Sequence, residues 1–303
     1  MPSRPPTLTV ACFGEALWDI LPRGLFLGGA ILNAAYHLSR HGLRAWPVSA
    51  AGRDFLGDEI LRRVADWGIE TRFITRPAGR PTGSARATLD EKGVATHRIA
   101  GNVAWDRIAA PAALLRSAAP AAVVFGTLAL REQHNRRTLD RLLEAWPGSL
   151  RVLDLNLRAP FDQAAVIDYA LERAQLLKVN DAELTRLTLS PGRTIAALEE
   201  AARRLAGRRK LSRICVTAGA RGAGLLWDDQ WYWEQARNVD VRDTVGSGDA
   251  FLGSLLAAVL RRRAPRGTEL ATACRMGEFV ATRDGPTPTY RVNARGQLRE
   301  SKA

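Results

Sequence analysis

Residues 120–156, PAAVVFGTLALREQHNRRTLDRLLEAWPGSLRVLDLN, decide the fold class. Two short apolar runs, AAVVFG and RVLDLN, stand on either side of RRTLDRLLEAW, whose apolar residues recur at helical spacing. LLKVN (176–180) and RICVTAG (213–219) continue the alternation, with the helical TIAALEEAARRLAG between them. Short apolar strands alternating with helices are typical of a parallel sheet buried on both faces. We therefore expect an α/β fold, a three-layer sandwich with a mostly parallel central sheet.

The N-terminal third has a more mixed pattern. Part of LTVACFGEALWDI and all of AWPVSAAG are strand-like, and LPRGLFLGGA between them is typical of a short loop. A helix is expected from about Leu32 to Arg40, ended by Gly42, and LGDEILRRVADWG predicts a second helix. TGSARATLD and ATHRIAG predict a hairpin that turns at DEKG. Residues near 15–30 and 80–105 would thus form a small β excursion.

Composition excludes several classes of protein. Among 303 residues, no apolar run approaches the ~20 needed to span a bilayer, and MPSRPPTLTV lacks the apolar core of a secretory signal. Cys12, Cys215 and Cys274 are far apart with no Cys-x-x-Cys pair, which argues against a disulfide framework or a structural zinc site. We expect a cytoplasmic protein with no membrane partner.

The net charge of +13 raises the question of nucleic-acid binding. The arginines, however, are spread along the chain and interspersed with acids, as in DEILRRVADWGIE. Only RRRAPR (261–266) and the C-terminal tail form clusters, and neither carries interleaved aromatics for base stacking. We therefore expect no nucleic-acid partner; the alternative predicts steeply salt-dependent binding to DNA or RNA. A positive field also suits an anionic small molecule such as a nucleotide.

The stretch DTVGSGDAFLG (243–253) is a candidate anion site. It lies between ARNVDVR, which is strand-like, and AFLGSLLAAVLRRR, which is strongly helical. Its small residues Gly246, Ser247 and Gly248 let backbone N–H groups approach a ligand, and the helix N-terminus adds a positive dipole end. It lacks the Gly-Lys-Ser/Thr of a Walker A loop, and Phe251 stands where a Rossmann fingerprint requires glycine.

Asp249 suggests chemistry at this site. A carboxylate on the first turn of the helix, beside a bound phosphate, could accept a proton from an attacking hydroxyl, which is what phosphoryl transfer needs. The alternative, open at this point, is that Asp243 and Asp249 only cap the helix.

The same stretch resembles the C-terminal signature of the PfkB (ribokinase-like) carbohydrate kinases, Asp-Thr-x-Gly-Ala/Ser-Gly-Asp. GGAILNAAYHLSRHG (28–42) resembles the N-terminal signature of that family. Further matches follow in order and extend the resemblance over about 10–290; they are GEALWDILP, NVAWD, LDLNLRAPF, KVNDAEL, VTAGARGAGL and ATRDGPTP. The resemblance is closest to bacterial fructokinases. It implies one ribokinase-like kinase domain over 1–303, in which the β excursion is a lid over the sugar.

The resemblance implies an ATP-dependent sugar kinase that transfers the γ-phosphoryl group to a sugar hydroxymethyl group, with ATP and Mg²⁺ as cofactors and K⁺ as an optional one near 243–245 and 281–285. Rival acceptors are ribose, 2-keto-3-deoxygluconate and a nucleoside. A non-catalytic sugar-binding regulator is the alternative from another class. A homodimer through the lid is a further option.

The site residues implied by the resemblance fall into four groups. The catalytic group comprises Asp249 as the base with Gly246, Ser247 and Gly248 as the anion hole. The substrate-binding group comprises Asp19, Gly28, Gly29, Asn33 and Arg158, the last also neutralising phosphate charge. The nucleotide-binding group comprises Asn180, Thr217, Gly219 and Gly222. The Mg²⁺ group, acting through water, comprises Asn180 and Glu183.

Each of these residues also has an ordinary structural interpretation. Asn33 could be a helix N-cap, Asp19 a surface turn, and Arg158 a surface arginine. NDAEL (180–184) is a helix-capping pattern, which is compatible with a metal role. Two features depart from the family pattern and make sugar specificity and lid contacts less secure: RGLFL before GGA is short, and glycine stands at 101 where relatives often carry an acid. WYWEQ is expected to be sheet packing rather than a sugar platform.

Overall fold

The computed structural model describes residues 7–21, 24–89, 95–262 and 267–299. The strands are β1 (Thr9–Phe13), β2 (Leu17–Leu21), β3 (Gly24–Gly28), β4 (Arg44–Ala50), β5 (Ile74–Thr75), β6 (Gly83–Leu89), β7 (Ala95–Ile99), β8 (Ala122–Gly126), β9 (Leu150–Asp154), β10 (Leu176–Asn180), β11 (Arg213–Thr217), β12 (Ala223–Trp227) and β13 (Gln230–Glu234). The helices are α1 (Ala30–Arg40), α2 (Phe55–Asp66), α3 (Ala112–Leu115), α4 (Gln133–Ala145), α5 (Ala164–Arg173), α6 (Asp181–Thr188), α7 (Ile195–Arg209), α8 (Ser247–Arg262) and α9 (Gly267–Ala281).

The central sheet has nine strands in the order β13-β12-β11-β10-β9-β8-β1-β4-β5. All neighbouring strands in it are parallel except the pairs that β12 makes with β11 and β13. The carboxyl ends of β1, β8, β9, β10 and β11 therefore meet at one edge, where ligands of open α/β sheets bind. The predicted α/β class with a mostly parallel sheet is confirmed.

Both faces of this sheet are covered by helices. In β8, Val123 and Phe125 belong to one apolar core while Val124 belongs to the other, because successive strand residues point to opposite faces. Side chains of α4, α5 and α7 complete the first core, and those of α1, α2, α8 and α9 complete the second. The result is the expected three layers.

A second sheet of four strands, in the order β3-β2-β6-β7, forms the β excursion. The prediction of a loop over LPRGLFLGGA is wrong in its second half, where β3 pairs antiparallel with β2. Its glycines made this stretch resemble a turn, and burial does not alternate along it, since it rises from the exposed Leu25 to the buried Leu27; the strand is formed by pairing with β2. β6 and β7 pair antiparallel as predicted, whereas the DEKG turn lies outside the described residues.

The strand predicted over ARNVDVR is also wrong. Residues 235–242 run outside any strand, and their alternating valines are not buried as a strand would require, since Val241 is 55% exposed. Helix α9 satisfies part of this backbone instead: Arg242 and Asp243 donate their N–H groups to the Ala281 carbonyl at 2.8 and 3.1 Å. The loop before α8 is thus held by α9 rather than by the sheet.

Three other expectations concern features outside the site. Trp231 and Trp233 lie on the edge strand β13, stacked with ring centroids 6.4 Å apart and packed against the first core. The cysteines are free and buried. Over the described ranges, no helix is long and apolar enough to cross a membrane.

Candidate active site

Asp249 lies on the first turn of α8, where it meets α1. Its carboxylate is 8% exposed, and Oδ2 accepts a hydrogen bond of 2.8 Å from Asn33 Nδ2. The N-cap interpretation of Asn33 is wrong, because α1 begins after Gly29 and Asn33 lies inside the helix with its side chain turned to Asp249. The hydrogen bond from Asn33 holds this buried carboxylate at the carboxyl edge of the sheet, and the positive end of the α8 dipole favours its charge.

Burial is the main cause that raises the pKa of Asp249, to about 6. The neighbouring Asp154 carboxylate raises it further, while Lys178, the Asn33 hydrogen bond and Arg158 lower it. A carboxyl with a pKa of about 6 is ionised at neutral pH and can accept a proton near that pH.

The loop before Asp249, Gly246–Gly248, is the candidate anion cradle. Gly246 has φ +80°, and a Cβ there would overlap Pro286, so only glycine allows this approach of the two loops. Ser247 Oγ is buried and has no hydrogen-bond partner among the described residues. Gly248 follows on the first turn of α8, where backbone N–H groups lack helical partners. The Ser247 N–H donates to the Thr244 carbonyl at 3.2 Å, so a bound phosphoryl group would be met by the unpaired Ser247 hydroxyl and the N–H groups of Gly246 and Gly248.

Asp243 supports the cradle rather than capping α8. Its Oδ1 accepts from Val245 N at 3.0 Å, and its Oδ2 accepts from Gly285 N at 3.1 Å. The carboxylate therefore joins the loop before α8 to the loop after α9.

Helix α1 fixes the same loop from the other side. His37 Nε2 lies 2.9 Å from the Pro286 carbonyl and Nδ1 lies 2.8 Å from the Tyr290 hydroxyl. Burial lowers the pKa of His37 to about 3, so the imidazole is neutral. A carbonyl can only accept, so Nε2 carries the proton and Nδ1 accepts from Tyr290. One helix thus holds both Asp249 and the wall behind Gly246.

Asp19, Gly28, Gly29 and Glu15 form the opposite side of the site. Asp19 lies on β2 across from β3, and a Cβ at Gly28 would overlap its Oδ2. Gly29 has φ +104°, and a Cβ there would overlap the Glu15 carbonyl. The two glycines of GGA therefore let the chain pass close to both acids.

Glu15 was not among the predicted residues. It is 4% exposed; Oε1 accepts from Ala30 N at 3.0 Å, while Oε2 is buried without a hydrogen-bond partner in the described part of the chain. Burial raises the pKa of Glu15 to about 7 and that of Asp19 to about 6. The available signal was its position directly after an apolar strand, in CFGEA.

Arg158 follows β9 and is exposed. Its charge lowers the pKa of Glu15, Asp19 and Asp249, so this exposed arginine lies near the carboxyl cluster. An arginine in this place can also meet a phosphate.

Asn180 and Glu183 form a capping box at the start of α6. Asn180 Oδ1 accepts from Glu183 N at 2.8 Å, and Glu183 Oε2 accepts from Asn180 N at 2.9 Å. Glu183 Oε1 also accepts from Leu157 N at 2.8 Å, which ties β10 to the chain after β9. The structural interpretation of NDAEL is therefore correct, and both carboxylate oxygens keep lone pairs for water.

The nucleotide group lies at the end of β11. Thr217 Oγ1 lies 3.5 Å from the Val179 carbonyl. Gly219 has φ +55° and open space where a Cβ would stand, whereas a Cβ at Gly222 would overlap the Glu234 carbonyl. Glycine is thus required at 222 because the backbone at Glu234 comes close to it, whereas Gly219 leaves room for a ligand.

Comparison with known proteins identifies the family. Residues 23–284 match the model of the pfkB family carbohydrate kinases. The chain belongs to the pfkB family of carbohydrate kinases. The probable fructokinase-4 of Arabidopsis thaliana is 28% identical to this kinase, over 92% of each chain.

Two solved structures share the fold of the kinase. The fructokinase of Xylella fastidiosa with bound ATP has a TM-score of 0.79 at 22% identity, covering 92% of this chain and 94% of its own. A putative ribokinase II of E. coli in complex with ATP and Mg²⁺ has a TM-score of 0.79 at 21% identity, covering 93% and 95%.

The residues of the kinase fit Mg²⁺ and a nucleotide. The buried, unpartnered Ser247 Oγ and the cradle that a Cβ at Gly246 would fill suit a phosphate. No group of three or more His, Cys, Asp or Glu able to hold a metal occurs within the described ranges. The oxygens of Asn180 and Glu183 instead suit Mg²⁺ that keeps its waters.

Proposed function

We propose that this carbohydrate kinase phosphorylates a free sugar, fructose in the first place, at a hydroxymethyl oxygen. The observation that carries the proposal is the buried Asp249 carboxylate, held by Asn33 beside the Gly246–Gly248 cradle. An anion cradle, a base next to it and room for a hydroxyl between them are what phosphoryl transfer requires.

In the proposed ground state the sugar lies between Asp19 and Asn33. The Asn33 Oδ1 and Glu15 Oε2 atoms are buried without partners among the described residues, and sugar hydroxyls would satisfy both. Gly28 and Gly29 leave space for the ring. Such polar contacts discriminate strongly, because an analogue that lacks a hydroxyl leaves a buried group unpaired.

In the proposed reaction Asp249 accepts the proton of the attacking sugar hydroxyl. The hydroxyl oxygen bonds to the γ-phosphorus of ATP, and the bond from that phosphorus to the oxygen of the leaving ADP breaks. The N–H groups of Gly246, Ser247 and Gly248 stabilise the negative charge of the transferring group. Mg·ATP would supply the phosphoryl group and positive charge near the phosphates, and Asn180 and Glu183 would hold the Mg²⁺ through water. Thr217, Gly219 and Gly222 line the nucleotide side, and Arg158 neutralises charge.

We further propose that the chain is a single kinase domain whose four-stranded sheet is the lid. The sheet carries Asp19 on β2, so its closure would exclude water that competes with the sugar as acceptor. Its edge strands β3 and β7 are where a homodimer would form. The loops joined by Asp243 are the proposed place for optional K⁺ activation. Free, buried cysteines support a cytoplasmic location.

An acceptor panel tests the function. ADP release is measured with fructose, ribose, 2-keto-3-deoxygluconate and a nucleoside, for the wild type and for Asp249→Asn. The amide of that variant keeps an oxygen for Asn33 but cannot act as the base, so we expect a folded protein whose turnover falls at least about 10³-fold. Asp240→Asn removes an exposed carboxylate from the same loop and is the matched control, with normal turnover expected.

Three results would change the proposal. Fastest turnover with a nucleoside would replace fructose as the acceptor. Normal turnover in Asp249→Asn would remove Asp249 as the base. Binding of a sugar without turnover of any acceptor would favour a non-catalytic regulator.

A further inference from the structure

Lys178 is a charged residue inside an otherwise apolar strand. β10 reads LLKVN, and Lys178 is 8% exposed between Leu177 and Val179, which are fully buried. Lysine is almost never buried to this extent unless it is paired. Lys178 begins KVNDAEL, but none of the catalytic or binding roles proposed for this kinase involves it.

Its partner is Asp154 on the neighbouring strand β9. The two residues are in register, and Lys178 Nζ donates to Asp154 Oδ1 at 2.9 Å. Asp154 is 1% exposed, so the whole ion pair is buried. A buried ion pair is weak evidence for stability, because apolar side chains of similar size would usually serve as well. The charge therefore needs another explanation.

The ammonium group lies directly beneath the anion cradle. A Cβ at Gly248 would stand 2.9 Å from Lys178 Nζ, so glycine at 248 leaves the space that the ammonium occupies. Leu176 and Cys215 lie on the same face of the sheet as Lys178, and α8 packs there. The strand thus aims its one cation at the first turn of α8, next to Asp249.

The charges around Asp249 come from several elements. Asp154 on β9, Lys178 on β10 and Arg158 after β9 act on it directly, and Asn33 on α1 donates to it. Glu15 and Asp19 face it from the chain after β1 and from β2. Lys178 is the buried cation of this group, while Arg158 is exposed and its field is weakened by solvent.

We propose that Lys178 is a positioning residue for phosphoryl transfer: its buried ammonium, anchored by Asp154 beneath Gly248, keeps Asp249 ionised as the base. The inference rests on the proposed role of Asp249. It explains why the cation is retained in the core and why its counterion is a fixed carboxylate rather than solvent.

The test is the acid limb of the kcat/KM profile for the sugar, which reports groups that titrate in the free enzyme. Lys178→Met keeps the length of the side chain and removes its charge. We expect the apparent pKa of the limb to rise by about one unit, with KM for ATP within about threefold of the wild type. Lys178→Arg, which keeps the charge, should return the limb toward the wild-type position.

The Asp154 partner supplies a prediction of opposite sign. Asp154→Asn removes a negative charge, so the limb should move down, and the double variant Lys178→Met/Asp154→Asn should lie near the wild type. Arg141→Met removes one exposed positive charge from α4 and should leave the limb in place. Loss of packing alone would lower activity without this pattern of signs.

The test can still be made if Lys178→Met does not fold. If Lys178→Met does not fold because Asp154 is left unpaired, the double variant is compared with Asp154→Asn, and the limb should still differ by about one unit. Glu15 and Asp19 titrate nearby, so the apparent pKa belongs to the cluster, but the difference between two variants isolates Lys178.

The outcomes separate this inference from the proposed function. An active wild type with an inactive Asp249→Asn and an unmoved limb in folded Lys178→Met would overturn the role of Lys178 alone. A wild type without turnover, or an active Asp249→Asn, would overturn the proposed function instead.

Discussion

The two acidic residues assigned to the sugar lie on very different supports. Asp249 stands on the first turn of α8, 8% exposed and bonded to Asn33, with α1 and the 285–290 loop packed around it. Asp19 lies on β2 of the small sheet, outside the nine-stranded sheet, and faces Gly28 on β3. The phosphoryl side, held by packed helices, is thus the rigid side of the site, while part of the sugar side lies on the small sheet, outside the nine-stranded sheet.

Among the glycine substitutions, the largest effect is expected at Gly246, on the rigid side. Gly246→Ala would place a side chain at φ +80° and against the backbone of Pro286, whose carbonyl is already held by His37. Neither neighbour can yield cheaply, so we expect kcat to fall at least about 100-fold and the melting temperature to fall by several degrees. Steady-state kinetics and calorimetry measure both.

Gly207→Ala is the matched control for that substitution. Gly207 lies in α7 with nothing within 4 Å of an added Cβ, so alanine should raise stability by up to about 1 kcal/mol and leave kcat unchanged. If kcat and melting temperature were the same in Gly246→Ala and Gly207→Ala, the cradle would be less constrained than its geometry indicates.

The rigid side was also the better predicted one. Apolar runs and helical spacing gave the central sheet, and Gly-Ser-Gly before a helix gave the anion loop, because these signals are local. The strand over ARNVDVR was wrong since alternation does not reveal whether a neighbour exists to pair with. Lys178 was missed because its only sequence context is a strand, and its meaning depends on Asp154 and Gly248.

The small sheet was predicted less well for a related reason. β3 contains two glycines and an exposed leucine, so its strand character comes from pairing with β2 rather than from propensity. The N-cap interpretation of Asn33 followed from local sequence. It is wrong because the side chain instead bonds to Asp249, 216 residues away in sequence. Glu15 had only its place after β1 as a signal.

A smaller and more selective effect is expected at Gly28, on the sugar side. Gly28→Ala would overlap the Asp19 carboxylate, which is the end of a side chain and can rotate away. Stability should therefore change little, while kcat/KM for the sugar falls about 10- to 100-fold and KM for ATP stays constant. Gly101→Ala, where an added Cβ meets open space, is the control beside the same sheet. An equal loss of affinity for ATP would contradict the division of the site into two sides.

The smallest effects are expected from a change of pH, which titrates buried carboxyl groups on both sides of the site. Burial raises the pKa of Asp249 and Asp19 to about 6 and that of Glu15 to about 7, above the values near 4 expected in the unfolded chain. The folded protein therefore binds more protons, so stability should increase as pH falls from about 7 to 5, while kcat/KM falls about tenfold per unit below pH 6 as the base is protonated.

Asp249→Asn isolates one of these carboxyls. A shift from 3.8 to about 6 corresponds to about 3 kcal/mol at most, so this variant should melt several degrees above the wild type at pH 8. The difference between the two melting temperatures should decrease toward pH 5, where the wild-type Asp249 carboxyl is already protonated. A gap that stays constant with pH would mean that packing, and not the buried charge, separates the two proteins. A melting-temperature difference that decreases toward pH 5 would mean that the ionised Asp249 carboxylate reduces the stability of the folded protein. The buried base on the rigid side of the site would then lower stability in exchange for catalysis.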